Sequence, residues 1–400
     1  MSEIKVNSIK GVGASTADIT VNNSDGTCTA NITNNLSNRN LCINGADMMV
    51  AQRGTSTTGL QNTGGVYTID RFSHRRNGTW SNAQFKHEQV DSGTGLFKKA
   101  LKVTCTTAEG SVPAGDEGVF IGHYLEKQDT VAAFGDGSAE AKSFTISFYV
   151  KASIATTYVL QLTTHHLSTN KLIYKTFVVN SADTWERKTI TFPAITNSVS
   201  TVDGTLADNA MGFQLHWILD SAPGTKAVDS YQSGTGTYKM PSGVSTTGFS
   251  NTLNATFQLS GVQIEAGTVA TDLEHRSFAQ ELALCQRYYY APFPLNSNGK
   301  ALCVNAAYTT TQSFAVEYFP VTMRAAPTGD IVISTNYLKL YCPANTGGAD
   351  ISSVAVGEQT THSARLYFTS YASAVSQAEQ GQGYIMVANN SFKLCYSAEL

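Results

Sequence analysis

From about residue 66 to residue 265, apolar and polar side chains alternate with a period of two, as half-buried strands require, and turn residues recur between the stretches. Val66 to Phe72, Leu101 to Cys105, Ser143 to Lys151, Tyr158 to Leu162, Lys188 to Phe192, Met211 to Trp217 and Phe257 to Ile264 all have this pattern. So many strands without helical crossovers predict an antiparallel sandwich or jelly roll and exclude an α/β fold. Residues 1 to 40 differ. They hold almost no large apolar side chains, and short β-prone pieces such as Ile4 to Val6 and Asp18 to Val21 lie between Gly, Ser and Asn clusters. Such a segment cannot bury a core alone and reads as a tail or as an element ordered by a partner or by sister chains.

One helical stretch interrupts the strands. Thr271-Asp272-Leu273-Glu274 reads as its start, Phe278, Leu282, Leu284 and Cys285 recur at helical spacing, and Tyr288 to Tyr290 with Pro292 and Pro294 end it. Beyond it, Phe314 to Phe319, Ile331 to Ile333, Ala364 to Phe368 and Tyr384 to Val387 predict a second, smaller sandwich of about a hundred residues. The expected organisation is an all-β chain: an N-terminal segment at 1–40, a jelly-roll β-sandwich at 41–270, a helical connector at 271–290 and a C-terminal β tip domain at 291–400.

Composition narrows the function. Among 400 residues, 27 Lys and Arg stand against 30 Asp and Glu, a net charge of −3 that supplies no basic field for nucleic acid or an anionic membrane. Only 14% of residues are charged and Gly numbers 33, which suits β-structure rich in turns. No run of eighteen apolar residues occurs and the first residues lack the apolar core of a secretory signal, so neither membrane insertion nor that route of export is expected. Seven scattered cysteines without zinc-site spacing are expected to be reduced.

Particular motifs go further. Val262-Gln263-Ile264-Glu265-Ala266-Gly267, Ala270 to Phe278 and Glu281 to Tyr289 strongly resemble the junction of tail-fibre and receptor-binding proteins of tailed bacteriophages, especially of marine and cyanobacterial hosts. Asn38 to Gly45, Val50 to Gly54, Asp70 to Phe72, Pro320 to Thr328 and the terminal Ala398-Glu399-Leu400 resemble the same family. The resemblance implies a homotrimeric virion protein, assembled in the host cytoplasm, docked on other phage tail proteins through its N-terminus. It also implies a jelly roll similar to carbohydrate-binding modules and a distal domain facing the host. The short N-terminal segment has no fibrous repeat or heptad, which fits a stubby appendage.

Glu265 with Asp272, Glu274 or Glu281 could form an acidic pair, but Arg276 and Arg287 are placed to pair with Glu274 and Glu281, and nothing fixes two carboxylates across a cleft. The structural reading prevails there. His165 and His166, adjacent on a strand, point to opposite faces and read as an exposed pair rather than a metal site. No metal, no cofactor and no enzymatic activity are expected. Sugar binding asks for aromatic faces beside amides. Trp80, near Arg75 and Arg76, and Trp217, after His216, could project from a concave sheet face; for Trp217 a core position competes. Trp185 reads as a turn residue. In the distal third Tyr337, Tyr341, Tyr367 and Tyr371 accompany Asn389 and Asn390 in a paratope-like mixture, with core or trimer contacts as the rival reading. The expected role is adhesion to a host surface glycan. A polysaccharide-cleaving tailspike and a purely structural virion protein are the alternatives.

Overall fold

The computed structural model describes residues 8–9, 19–21, 28–30, 40–61, 65–234, 238–293, 300–307, 309, 311–332, 338–342, 345–370, 383–388 and 393–400. The chain divides into two units, residues 1–39 and 40–400. In the first, β1 (Ser8–Ile9), β2 (Ile19–Val21) and β3 (Cys28–Ala30) pair antiparallel in sequence order. The β-prone piece around Asp18 to Val21 is thus a strand, whereas Ile4 to Val6 lies outside the described residues.

The second unit opens with the strands of a β-sandwich. They are β4 (Ser56–Leu60), β5 (Val66–Ile69), β6 (Phe72–Asn77), β7 (Gln84–Asp91), β8 (Lys99–Thr107) and β9 (Gly118–Glu126). After helix α1 (Lys127–Phe134) come β10 (Phe144–Ala152), β11 (Thr157–Thr164), β12 (Lys171–Val178), β13 (Glu186–Phe192), β14 (Met211–Ser221), β15 (Gln232–Ser233) and β16 (Thr256–Ala266). One sheet has the order β13-β10-β16-β8-β7-β4 and the other β15-β12-β11-β14-β9-β6-β5. Their inner faces form one core, in which Phe148 meets Trp217 edge-on at 5.8 Å and Phe144 lies 5.2 Å from Phe213. Strand alternation supplies this face. In β14, Phe213, Leu215, Trp217 and Leu219 point inward, while Gln214, His216 and Ile218, of opposite parity, point out.

The outer face of the seven-stranded sheet is also covered in part. Phe120, Val159, Leu172, Tyr174 and Ile218 form a second apolar cluster with Met240, Tyr238, Val228 and Val244 of the 222–250 connection. All nine residues of β9 are therefore buried.

Helix α2 (Phe278–Gln286) follows the sandwich. It begins later than the expected start at Thr271. Ser277 caps it, and the Ser277 hydroxyl and the Gln280 side chain satisfy one another's backbone N–H. Residues 271–274 are instead fastened to β16: the Thr271 hydroxyl donates to Glu265 at 2.7 Å and the Glu274 N–H to Gln263 at 2.8 Å.

The distal strands are β17 (Tyr289–Phe293), β18 (Lys300–Ala307), β19 (Gln312–Tyr318), β20 (Thr328–Val332), β21 (Leu338–Cys342), β22 (Asn345–Gly357), β23 (Ser363–Ser370), β24 (Gly383–Ala388) and β25 (Lys393–Ser397). They form a three-stranded sheet, β17-β25-β20, and a closed barrel, β18-β19-β23-β22-β21-β24. The expectation of a second sandwich is corrected here, because β24 pairs with both β18 and β21 and so removes the sheet's edges. The all-β expectation holds.

The motif residues quoted above, scattered over the chain, converge at one joint. Asn40 donates through its side chain to the Val262 carbonyl (3.0 Å), and the Asn44 N–H donates to Glu281 (2.7 Å). Arg276 pairs with Glu281 at 3.1 Å and reaches Glu274 at 3.9 Å. Arg287 does not join them: it binds Glu126 of β9 at 2.7 Å. Buried Arg71 pairs with Glu399, donates to the Tyr124 carbonyl at 2.6 Å and stacks 3.4 Å from the Tyr288 ring centre. Arg324 donates to the carbonyls of Asn209, Ala398 and Glu399. Glu265 accepts from Gln263 and Thr271. These carboxylates are all held by structural donors.

Candidate functional site

The tryptophans chosen from the sequence are not at a surface. Trp217 is fully buried among Phe72 and Phe148, because its parity on β14 aims it into the core. Trp80 is 7% exposed, donates to the Asn77 carbonyl at 2.6 Å and meets Phe85 edge-on. Neither ring can serve as a sugar platform. Trp185 donates to the Ser92 carbonyl and packs on Phe97. Tyr367 is exposed on the barrel, its hydroxyl donating to Glu358 at 2.8 Å. Tyr337, Tyr371, Asn389 and Asn390, and the side chain of Tyr341, lie outside the described residues. The histidine pair does split to opposite faces. His165 meets Gln214 at 2.9 Å, whereas His166 is fully buried, with Nδ1 3.1 Å from the Gly212 carbonyl and Nε2 3.6 Å from Asp136. The reading of an exposed pair fails for His166.

The sequence neighbours of the tryptophans carry the site instead. On the outer face of the seven-stranded sheet, register places Ser73, Gly122, His216, Gln161 and Tyr174 in one row across β6, β9, β14, β11 and β12. A parallel row holds Tyr124, Gln214 and Thr163. The absence of a side chain at Gly122 lets the rows interlock, since a Cβ there would lie 2.7 Å from the Tyr124 hydroxyl and 2.8 Å from that of Ser73.

This floor is polar, buried and incompletely satisfied. The Tyr124 hydroxyl lies 3.4 Å from His216 Nε2, and the Gln161 amide donates to Thr163 at 2.9 Å. His216 Nδ1 and Gln161 Oε1 are buried without a hydrogen-bond partner among the described residues. Leaving such groups unpaired costs about 1–3 kcal/mol each. Burial, with Arg75 adding to it, holds the His216 imidazole well below its ordinary range; it is neutral at pH 7. Half-buried Tyr238, Tyr67, Arg75 and His165 form the rim. Tyr238 stacks on Phe120 at 4.5 Å and meets His216 edge-on at 4.9 Å. Arg75 lies 5.1 Å from the Tyr124 ring centre.

A concavity of about 500 Å³ lies at the joint, lined by Arg53, Tyr67, Tyr289, Asp330, Lys393 and Glu399. Its charges neutralise one another: Arg53 pairs with Glu399 at 3.1 Å and Lys393 with Asp330. Arg53 Nη1, which also lines this cleft, is buried without a hydrogen-bond partner among the described residues, so the sheet face differs in being uncharged along its floor rather than in having unmatched groups.

No family model matches the chain, and no curated protein matches it in sequence. Among solved structures, a Bacteroides thetaiotaomicron protein with a sugar-binding designation is similar at 11% identity and a TM-score of 0.29, over 57% of this chain and 99% of its own. The enzymatically active domain of bacteriophage CBA120 tailspike protein 4 is similar at 9% identity and a TM-score of 0.28, over 57% of this chain and 21% of its own. A family 11 carbohydrate-binding module of Clostridium thermocellum is similar at 15% identity and a TM-score of 0.25, over 56% and 99%. The expectation that the chain has no enzymatic activity is withdrawn on this comparison, because an enzymatically active domain stands among the similar structures.

Proposed function

We propose that this chain is an adhesin that binds saccharide on the outer face of its seven-stranded sheet. The observation that carries this reading is the polar row itself: His216 Nδ1 and Gln161 Oε1, buried and unpartnered, beneath the aromatic rim of Tyr238 and Tyr67. Sugars present hydroxyls that both donate and accept at spacings of this kind, and an apolar ring face that an aromatic covers. From β6 to β11 the row crosses three strand spacings, about 14 Å, which suits an oligosaccharide. In the same reading the chain belongs to a phage tail fibre on the virion, trimeric and docked through residues 1–40, and adheres to a host surface polysaccharide. The convergence of Asn40, Arg71, Glu281, Arg324 and Glu399 at one joint supports that, since these are the residues that resemble the tail-fibre framework. Three sites per fibre would convert weak contacts into firm attachment through effective concentration.

The test is binding of the full chain to a panel of bacterial envelope polysaccharides, with released reducing ends followed in the same reaction and the oligomer sized by light scattering. Saturable binding that falls about tenfold in Tyr238→Ala, by a trimeric protein, is expected. Binding that survives both Tyr238→Ala and His216→Phe would overturn the site, and a monomer would overturn the trimeric fibre.

A further inference from the structure

We propose that the sheet-face site takes an anionic saccharide, one bearing carboxylate, sulfate or phosphate groups, and that Arg75 is the residue that recognises its charge. The proposal rests on the saccharide reading above and names the ligand class.

Arg75 differs from the other arginines among the described residues. Arg53, Arg71, Arg276, Arg287 and Arg365 each pair with a carboxylate. Arg76, Arg187 and Arg324 donate to backbone carbonyls. Arg75 makes no ion pair among the described residues: its guanidinium lies by the neutral hydroxyls of Tyr67 and Tyr124, with Tyr67 a hydrogen-bond partner, and its Nε, like those of Arg71 and Arg76, is buried without one. A guanidinium is not left without a carboxylate in a half-buried position without cost, because its five N–H donors have lost part of their water.

Its position is also fixed. Register sets Arg75 opposite Phe120 on β9, at the end of the floor formed by Tyr124, Gly122 and His216. The guanidinium lies over the Tyr124 ring at 5.1 Å, and Gly65 leaves the slot open, since a Cβ there would come within 3.1 Å of Nε. Stacking on an aromatic face holds the planar guanidinium in place.

The surroundings favour the same sign of ligand. The floor residues Ser73, Tyr124, Thr163, Gln161, Gln214 and His216 include no carboxylate that would repel an anion. The nearby Lys239 is matched by Asp116 at 3.1 Å, which leaves Arg75 as the rim cation without a carboxylate partner among the described residues. An acidic sugar would supply the bidentate acceptor, while its hydroxyls meet His216 Nδ1 and Gln161 Oε1.

The experiment uses matched probes on the full chain: a galacturonate tetramer against its methyl ester, and a sulfated glucan oligomer against the same oligomer unsulfated, by titration calorimetry at two salt concentrations. The acidic member of at least one pair should bind about tenfold tighter, with the preference shrinking as salt rises. Which pair shows it distinguishes carboxylate from sulfate. Arg75→Gln should abolish the preference, lowering affinity for the acidic member about tenfold more than for the neutral one, and Arg75→Lys should keep part of it. A melting curve for each variant confirms folding. Equal binding of acidic and neutral members would overturn the anionic assignment and leave saccharide binding intact, and a preference that survives in Arg75→Gln would overturn the assignment of Arg75. No binding of any probe would overturn both.

Discussion

Mild acid should destabilise this protein through its core histidines. His74, His87, His123, His166 and His216 are at most 1% exposed. Burial holds the imidazoles of His74 and His123 down at about 3 and that of His166 at about 4; those of His87 and His216 lie well below the ordinary 6.5. The unfolded chain takes up protons on these five below pH 6.5 and the folded chain does not, so stability is lost as pH falls. At pH 5.5 relative to pH 7 each site costs about 1.3 kcal/mol, together about 6 kcal/mol, a figure set by the unfolded value because every folded value lies lower.

Carboxyls raised by burial act in the opposite sense, Asp70 and Asp136 most strongly, with Asp129, Glu281 and Glu317 shifted the same way. Burial pushes Asp70 up to about 6 and Asp136 up to about 8, so each favours the folded state more as it is protonated. Between pH 7 and 5.5 they return about 3 kcal/mol, leaving a net loss of about 3 kcal/mol. At about 2.1 cal/mol/K of unfolding entropy per residue this is a fall of about 4 °C in Tm. Thermal melts across that range measure it. His87→Leu removes an imidazole whose two nitrogens both lack partners and whose ring centre lies 6.0 Å from that of His74 across the core. That variant should melt higher and lose about a third of the pH dependence. A Tm that is flat or rises toward pH 5.5, or an unchanged slope in His87→Leu, would refute the reasoning.

Three further outcomes are expected. Glu399→Gln leaves Arg71 buried without its anion and should cost about 3–5 kcal/mol in urea unfolding; a loss under about 1 kcal/mol would show that the joint does not depend on that pair. Trp217→Phe should lower stability by about 1–2 kcal/mol through the cavity it opens while leaving saccharide affinity unchanged, because its ring faces the core. Gly122→Ala should cost about 1–3 kcal/mol and weaken saccharide binding measured by calorimetry, since its methyl would displace the Tyr124 and Ser73 hydroxyls.

What the sequence discloses here depends on whether a residue's partners are near in the chain. Strand alternation is local, and it specified the sandwich. The inward parity of Trp217 could be read from Phe213, Leu215 and Leu219, yet ring size drew attention to the tryptophan rather than to outward His216. The helix start was ambiguous because Thr271-x-x-Glu274 and Ser277-x-x-Gln280 both fit a capping box. Attachment of residues 271–274 to β16 decides between them, and no local pattern records it. Closure of the barrel depends on β18 meeting β24 from some eighty positions away, equally beyond local pattern.

The same logic separates framework from site. Every arginine offers the same chemistry in a sequence, and those in recognisable motifs, Arg71, Arg276, Arg287 and Arg324, draw notice first. In the fold these are the ones already held by carboxylates and carbonyls of the joint. Arg75 stands near Trp80 in the sequence, and nothing local shows that its guanidinium meets no carboxylate among the described residues. A side chain is available to a ligand only after the fold has failed to supply its partner. The informative residues on this sheet face are therefore those that folding leaves unsatisfied: Arg75 Nε, His216 Nδ1 and Gln161 Oε1.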